Sequence, residues 1–203
     1  MTVPLGIVLA AGEGRRMGGP KALLVIDGKP LVLAHVQRLQ SAGCRPILVV
    51  VRATIAGQVQ ELLGAQPEAQ LCTVDTFSMA ESLSAALGSV SPRPERSVVV
   101  APVDTLPVQL ATLQALLQAV TAAGVHAATP RYQGRGGHPV VALQSLLQKF
   151  RDGYSGTLRD LLRSAEAGRR WLDVEDPAVT TAFDTPADLA ARRLRPRFAS
   201  THD

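Results

Sequence analysis

The residues from Leu5 to Lys21 read L-G-I-V-L-A-A-G-E-G-R-R-M-G-G-P-K. A short apolar run breaks into a loop with Gly12, Gly14, Gly18 and Gly19, closed by Pro20, and Arg15, Arg16 and Lys21 lie in or beside it. Glycine lets a backbone take positive φ and come close to a ligand. Successive N–H groups in such a concave loop attract phosphate oxygens. Arg can grip phosphate through two hydrogen bonds, and Lys adds a point charge. The stretch is suited to holding a triphosphate, with a glycine-rich turn carrying solvated cations as the alternative.

Better-known phosphate motifs fail on spacing. Gly14 and Gly19 have the Walker interval, but Pro20, Lys21 and Ala22 follow, with no hydroxyl for a metal. Gly12-Glu13-Gly14 starts a dinucleotide fingerprint, but Met17 stands where its third glycine belongs.

Two acids could serve such a loop. Asp104 follows the apolar run Val98–Ala101 after only Pro102 and Val103. A carboxylate there could hold Mg²⁺, which takes one or two carboxylates together with phosphate oxygens and water. An isolated Asp after a strand also serves as a turn or cap residue. Asp184 and Asp188 flank Thr185-Pro186, a good helix start, where acids complement the helix dipole.

Alternating strand and helix signals must position these groups. Strands are expected at Leu5–Leu9, 47–51, 70–74, 98–101, 125–130, 140–143 and 171–174. Helices are expected over 31–42, 55–63, 79–87 (opened by a capping box at Ser78 and Glu81), 110–120, 145–150, 157–163 and 186–194. Continuous apolar strands between helices imply an α/β domain whose mostly parallel, Rossmann-like sheet is covered on both faces. Ligands of such sheets bind beyond the carboxyl ends of the strands, near a switch in strand order. That rule puts the opening loop and Asp104 on one edge.

Composition narrows the classes further. The 203 residues fit one domain, expected over 1–194, followed by a disordered basic tail at 195–203. Aromatics are only 3%, which argues against base stacking on single-stranded nucleic acid. The net charge of +4 comes from scattered cations, with a cluster (Arg192, Arg193, Arg195, Arg197) near the end, so no nucleic-acid partner is expected. Cys44 and Cys72 offer neither metal spacing nor a disulfide framework. No signal peptide and no apolar run near the ~20 residues of a membrane span are visible, so a cytoplasmic protein without membrane contact is expected.

The string L-A-A-G-E-G-R-R-M-G-G-P-K-A-L-L resembles the signature L-A-[AG]-G-x-x-x-R-M-G-x-x-K of molybdenum cofactor cytidylyltransferases and guanylyltransferases. These form a branch of the sugar-nucleotide pyrophosphorylase superfamily. The resemblance implies the nucleotide-diphospho-sugar transferase type of fold. It implies that Leu9, Ala10, Ala11, Gly12 and Gly14 hold the nucleoside, while Arg16 and Lys21 bind the phosphates. Ala-Pro-Val-Asp-Thr-Leu-Pro is similar to the family's P-x-D-x-P segment, which makes Asp104 a metal ligand, although Pro107 falls one residue late. The close F-D-T-P-A-D-L resembles D-x-D-T-P-x-D-L, which makes Asp184 the second ligand; Ala182 replaces the first acid. S-M-A-E-S-L-S-A-A-L resembles G-M-x-x-S-L-x-x-G-L without its glycines, and suggests a nucleoside contact at Ser82.

Gly136-Gly137-His138-Pro139-Val140 resembles an acceptor-side turn. Gly137 and His138 are expected to orient the acceptor or to form a structural turn. Attack by an ionised phosphate needs little base catalysis, so His138 is not expected to act as a base.

The implied enzyme is a Mg²⁺-dependent nucleotidyltransferase with Arg16, Lys21 and Asp104 as its catalytic residues. CTP is favoured by Ala11, GTP is possible, and molybdopterin is the leading acceptor. Transient contact with a cofactor-accepting enzyme is a further implication. The alternatives are transfer to a sugar phosphate or another phosphorylated alcohol, or a non-catalytic nucleotide-binding accessory protein.

Overall fold

The apolar runs become strands, and the amphipathic stretches between them become the helices that cover them. The computed structural model describes residues 2–64, 66–76, 78–191, 194 and 197–199. The chain begins with β1 (Leu5–Leu9), a hairpin of β2 (Leu24–Ile26) and β3 (Lys29–Pro30), and α1 (Leu31–Ser41). Next come β4 (Ile47–Arg52), α2 (Ala53–Leu63), β5 (Ala69–Val74), α3 (Met79–Gly88), β6 (Ser97–Pro102) and α4 (Leu110–Ala119). The second half contains β7 (Ala127–Tyr132), β8 (Arg135–Gly136), β9 (Val140–Leu143), α5 (Gln144–Arg151) and α6 (Leu158–Ser164). It closes with β10 (Arg169–Asp173), α7 (Pro186–Ala190) and β11 (Arg197–Phe198).

The main sheet runs β10-β7-β9-β6-β1-β4-β5, with β8 added to β7. Strand β9 is antiparallel to β6 and β7, whereas β1, β4, β5 and β6 pair in parallel. Alternation along each strand divides the core. Ile47, Val49 and Val51 face α1, α2 and α4, while Leu48 and Val50 face α3, α5 and α6. Both faces are thus sealed by apolar helices, as the continuous β-branched strands require.

From β1 the chain moves to β4 and β5 on one side, then returns to β6 on the other. The switch in strand order therefore lies between β1 and β6, where the rule for open sheets puts a ligand.

Three local expectations are corrected. The capping box at Ser78 is half formed: Ser78 Oγ accepts from Glu81 N at 3.4 Å, but the Glu81 carboxylate accepts from the Thr76 hydroxyl instead. The strand expected at 125–130 runs instead over Ala127–Tyr132 and turns back into a hairpin with β8. Within the expected tail, Arg197–Phe198 pairs antiparallel with β2, because its backbone satisfies the free edge of β2 while the Phe198 ring covers Gly18 and Gly19. Arg192, Arg193 and Arg195 lie outside the described residues, as does the end of the last expected helix beyond Ala191 apart from Leu194. Among the described residues, no helix is long and apolar enough to cross a membrane.

Candidate active site

Leu9 ends β1 opposite Pro102, the end of β6, so the two following loops leave the sheet side by side. Between them lies a cleft of about 320 Å³. It is lined by Leu9, Ala11, Gly12, Gly14, Arg15, Arg16 and Lys21 from the first loop, and by Pro102, Val103 and Asp104 from the second. Met79 and Ser82 from α3 and Asp184 complete it.

The first loop holds its shape by folding onto itself. Gly14 has φ 64°, and a Cβ there would sit 1.9 Å from the Gly19 carbonyl oxygen, so no side chain fits. Met17 N donates to the Gly14 carbonyl at 2.7 Å, and Gly19 N reaches the same oxygen at 3.3 Å. On the far side Glu13 accepts from Arg52 Nη1 at 2.6 Å and from Arg15 Nε, which ties the loop to the end of β4. The Arg15 hydrogen bond, ahead of the Arg52 contact, holds the Glu13 carboxyl below its ordinary pKa.

Two acids converge on one cation. Lys21 Nζ lies 2.6 Å from Asp184 Oδ1 and 3.6 Å from Asp104 Oδ2, and Arg16 Nη2 lies 3.4 Å from Asp184 Oδ2. The Lys21 side chain is 12% exposed, against 41% for Asp104 and 53% for Asp184. Its hydrogen bond is the main reason that the Asp184 pKa lies below the ordinary carboxylate range. Both acids present oxygen to one point beside the phosphate loop. That donor set suits a hard divalent cation, which completes its shell with phosphate oxygens and water. Among the described residues, no group of three or more His, Cys, Asp or Glu side chains could hold an ion.

A short antiparallel bridge brings the acids together. Thr105 pairs with Ala182, Phe183 N donates to the Asp104 carbonyl at 3.0 Å, and Leu106 N donates to Thr181 O at 3.3 Å. Asp188 takes the structural role expected of it: its Oδ2 accepts from Asp184 N and Thr185 N, both at 2.8 Å, in a full capping box that opens α7.

Beneath this bridge lies a group that the sequence did not mark. His35 of α1 is 4% exposed, and its Nε2 is 2.8 Å from the Thr105 carbonyl oxygen. A carbonyl only accepts, so Nε2 carries the proton. Burial pushes the His35 pKa down to about 4, against the opposing pull of the Thr105 hydrogen bond and the Asp104 charge. The sign of the pH effect follows. Between about 4 and the ordinary 6.5, the unfolded chain binds a proton that the folded chain refuses, so stability falls as pH drops through that window, by up to about 3 kcal/mol. Urea unfolding at pH about 7.5 and about 5 should show this loss in the wild type and a smaller one in His35→Gln. Equal losses in the two proteins would discard this account of His35.

Not every expected residue reaches the cleft. Ala10 is 1% exposed and its N–H is bound to Val50 O at 2.8 Å, so it is a sheet residue. Gly137 and His138 do not line the cleft. A Cβ on Gly137 would meet Val179 O at 1.8 Å, and His138 N donates to that oxygen at 3.0 Å. Their turn is packed against residues 177–180 because the backbone leaves no space between them. Burial lowers the His138 pKa, opposed by the Asp104 charge, and Nδ1 has no partner among the described residues. Met79, Pro102 and Val103 line the cleft without having been singled out for it, and Arg15, one of the three loop cations named from the sequence, lines it with them. Met79 was legible through its place in the Ser78–Leu87 string.

Residues 6–172 match the MobA-like NTP transferase domain. The chain belongs to the MobA-like NTP transferase family. A Thermococcus gammatolerans protein named "Probable molybdenum cofactor guanylyltransferase" is 40% identical over 60 residues, 30% of this chain and 31% of that protein. The bifunctional protein GlmU of Cellvibrio japonicus is 32% identical over 117 residues, 57% of this chain and 25% of that one. The matches thus span less than a third of these curated relatives. Rv0371c from Mycobacterium tuberculosis H37Rv superimposes with a TM-score of 0.79 at 27% identity, covering 95% of this chain and 97% of that one. The same protein is known in complex with manganese, with a TM-score of 0.76, 26% identity and the same coverage. The fold is that of the nucleotide-diphospho-sugar transferases.

Proposed function

We propose that this protein is a divalent-metal-dependent nucleotidyltransferase that moves a nucleoside monophosphate from an NTP to a phosphorylated acceptor. The observation that carries this reading is the convergence of Arg16, Lys21, Asp104 and Asp184 on one cleft at the switch between β1 and β6.

The backbone of Leu9, Ala11, Gly12 and Gly14, with Met79 and Ser82 opposite, takes the nucleoside. Arg16 and Lys21 take the phosphates. Asp104 and Asp184 hold a divalent cation, Mg²⁺ by preference, which supplies charge neutralisation at the phosphates when bound. An ionised acceptor oxygen forms a bond to the α-phosphorus as the bond to the β-phosphate bridging oxygen breaks. Pyrophosphate leaves with the electron pair. Lys21 and Arg16 then follow the charge that moves onto the departing oxygens, which is where fixed cations act most strongly.

Ala11 in place of a glycine resembles the cytidylyltransferase form of the signature, which favours CTP, and molybdopterin is the leading acceptor. GTP is the competing nucleotide, supported by the names of the Thermococcus relatives. The GlmU match supports a sugar phosphate as the competing acceptor. A cytoplasmic setting supplies the NTP, and the product passes to a cofactor-accepting enzyme.

A thermal melt with CTP, GTP, ATP and UTP, each with and without Mg²⁺ or Mn²⁺, tests the first half of this reading. A ligand at a hundredfold excess over Kd adds ~2.7 kcal/mol, equivalent to several degrees in a chain of this size. A metal-dependent shift with CTP, followed by pyrophosphate release on adding molybdopterin, is expected. A shift with GTP alone would replace the nucleotide. No shift with any nucleotide would refute the enzyme reading and leave a non-catalytic protein.

A further inference from the structure

The last described strand runs beside the phosphate loop. Arg197 and Phe198 pair in register with Val25 and Leu24, and Ala199 N donates to Leu23 O at 2.8 Å. This lays the Phe198 ring over the outside of the loop. A Cβ on Gly19 would stand 3.0 Å from two ring carbons, and one on Gly18 would stand 4.0 Å from a third. Phe198 is 39% exposed, so the ring rests on the loop and is not part of the core. Gly19 is also the residue that closes the loop, through its N–H on the Gly14 carbonyl. Arg16 lies inside that closed turn and Lys21 directly after it. The aromatic side chain thus presses on the hinge of the segment that carries both cations.

We propose that β11 clamps the phosphate loop and that Phe198 is a positioning residue for Arg16 and Lys21, acting through Gly19. The catalytic consequence rests on the nucleotidyltransferase reading above, whereas the mechanical one does not. A six-membered ring lying over Gly19 restricts the loop without touching the ligand. Gly19 has an ordinary φ, but a methyl there would crowd the ring at 3.0 Å, so the ring seats best on a glycine. Prepaid order in the loop lowers the cost of binding a triphosphate. Its loss should therefore raise KM for the nucleotide more than it lowers kcat.

Amide hydrogen exchange on the nucleotide-free full chain reads the clamp directly. In Phe198→Ala, exchange at residues 14–21 should accelerate by about tenfold, with amides of β1, β4 and β6 unchanged. KM for the NTP should rise by roughly tenfold with kcat changed less than about threefold, and Phe198→Tyr should restore both. Gly19→Ala, whose methyl would stand 3.0 Å from the ring and push it outwards, should change exchange in the same direction as Phe198→Ala, and the double variant should be no worse than Phe198→Ala. A purely structural role would lower the active fraction and leave KM as it was. Unchanged exchange at residues 14–21 in both single variants would overturn the clamp. Altered exchange without any nucleotide binding in the wild type would keep the clamp and reject the enzyme reading.

Discussion

Asp104→Ala is expected to remove turnover while leaving the fold intact. The side chain is 41% exposed, and its ion pair with Lys21, at 3.6 Å, is of the partly solvated kind worth about 0–1 kcal/mol. The bridge that positions the segment uses the backbone of Asp104, which the substitution keeps. The melting temperature should therefore move by no more than a few degrees. On the proposed mechanism the carboxylate is one of two oxygen donors to the cation, and losing such a charge-stabilising group costs about 10²–10³-fold or more. Pyrophosphate release, followed alongside a melt, separates the two effects. Near-normal release by a folded variant would remove Asp104 from the chemistry.

Lys21→Met should have the second large effect. Its ammonium is the most enclosed charge of the site and, among the described residues, the ion-pair partner that both acids share. Removal should lower kcat/KM by roughly 10²–10³-fold. It should also leave Asp104 and Asp184 without the cation that now lies between them, so the nucleotide-free variant should bind Mn²⁺ more tightly than the wild type. Spin-resonance titration of free Mn²⁺ reads this without any turnover. The Asp184 pKa, held down mainly by the Lys21 hydrogen bond, should rise towards the ordinary carboxylate value in this variant. A depressed folded-state pKa adds stability above the ordinary value and loses it as pH falls through the depressed one. The wild type should thus lose slightly more stability on acidification than Lys21→Met, with the difference kept small by the exposure of Asp184. Equal Mn²⁺ affinity in the two proteins would show that Lys21 does not stand in the cation's place.

Much of the fold was legible because its signals are local. The β-branched run Ile47–Val51 is a buried strand wherever it falls, and the Leu110–Ala119 periodicity makes a helix whatever it packs on. The hairpin at Arg131–Gly137 was not legible, because β8 is only two residues long and has no alternation to read. Strand β11 was hidden for the same reason, inside a basic stretch that reads as a solvated end.

By itself, the sequence determined the phosphate loop. Four glycines, a proline and three cations within a few residues of one another set its turn and its charge through short-range sterics, before Arg52 and Phe198 hold it from outside. The tertiary structure alone decided what stands against that loop. Lys21 meets Asp184 across 163 residues of chain, because Thr105 and Ala182 bridge and because β6 returns beside β1. His35 beneath the bridge and Phe198 over Gly19 were assigned by packing in the same way. Contacts of this kind leave no periodicity or spacing in the sequence, since their geometry exists only after distant elements have buried their apolar faces together.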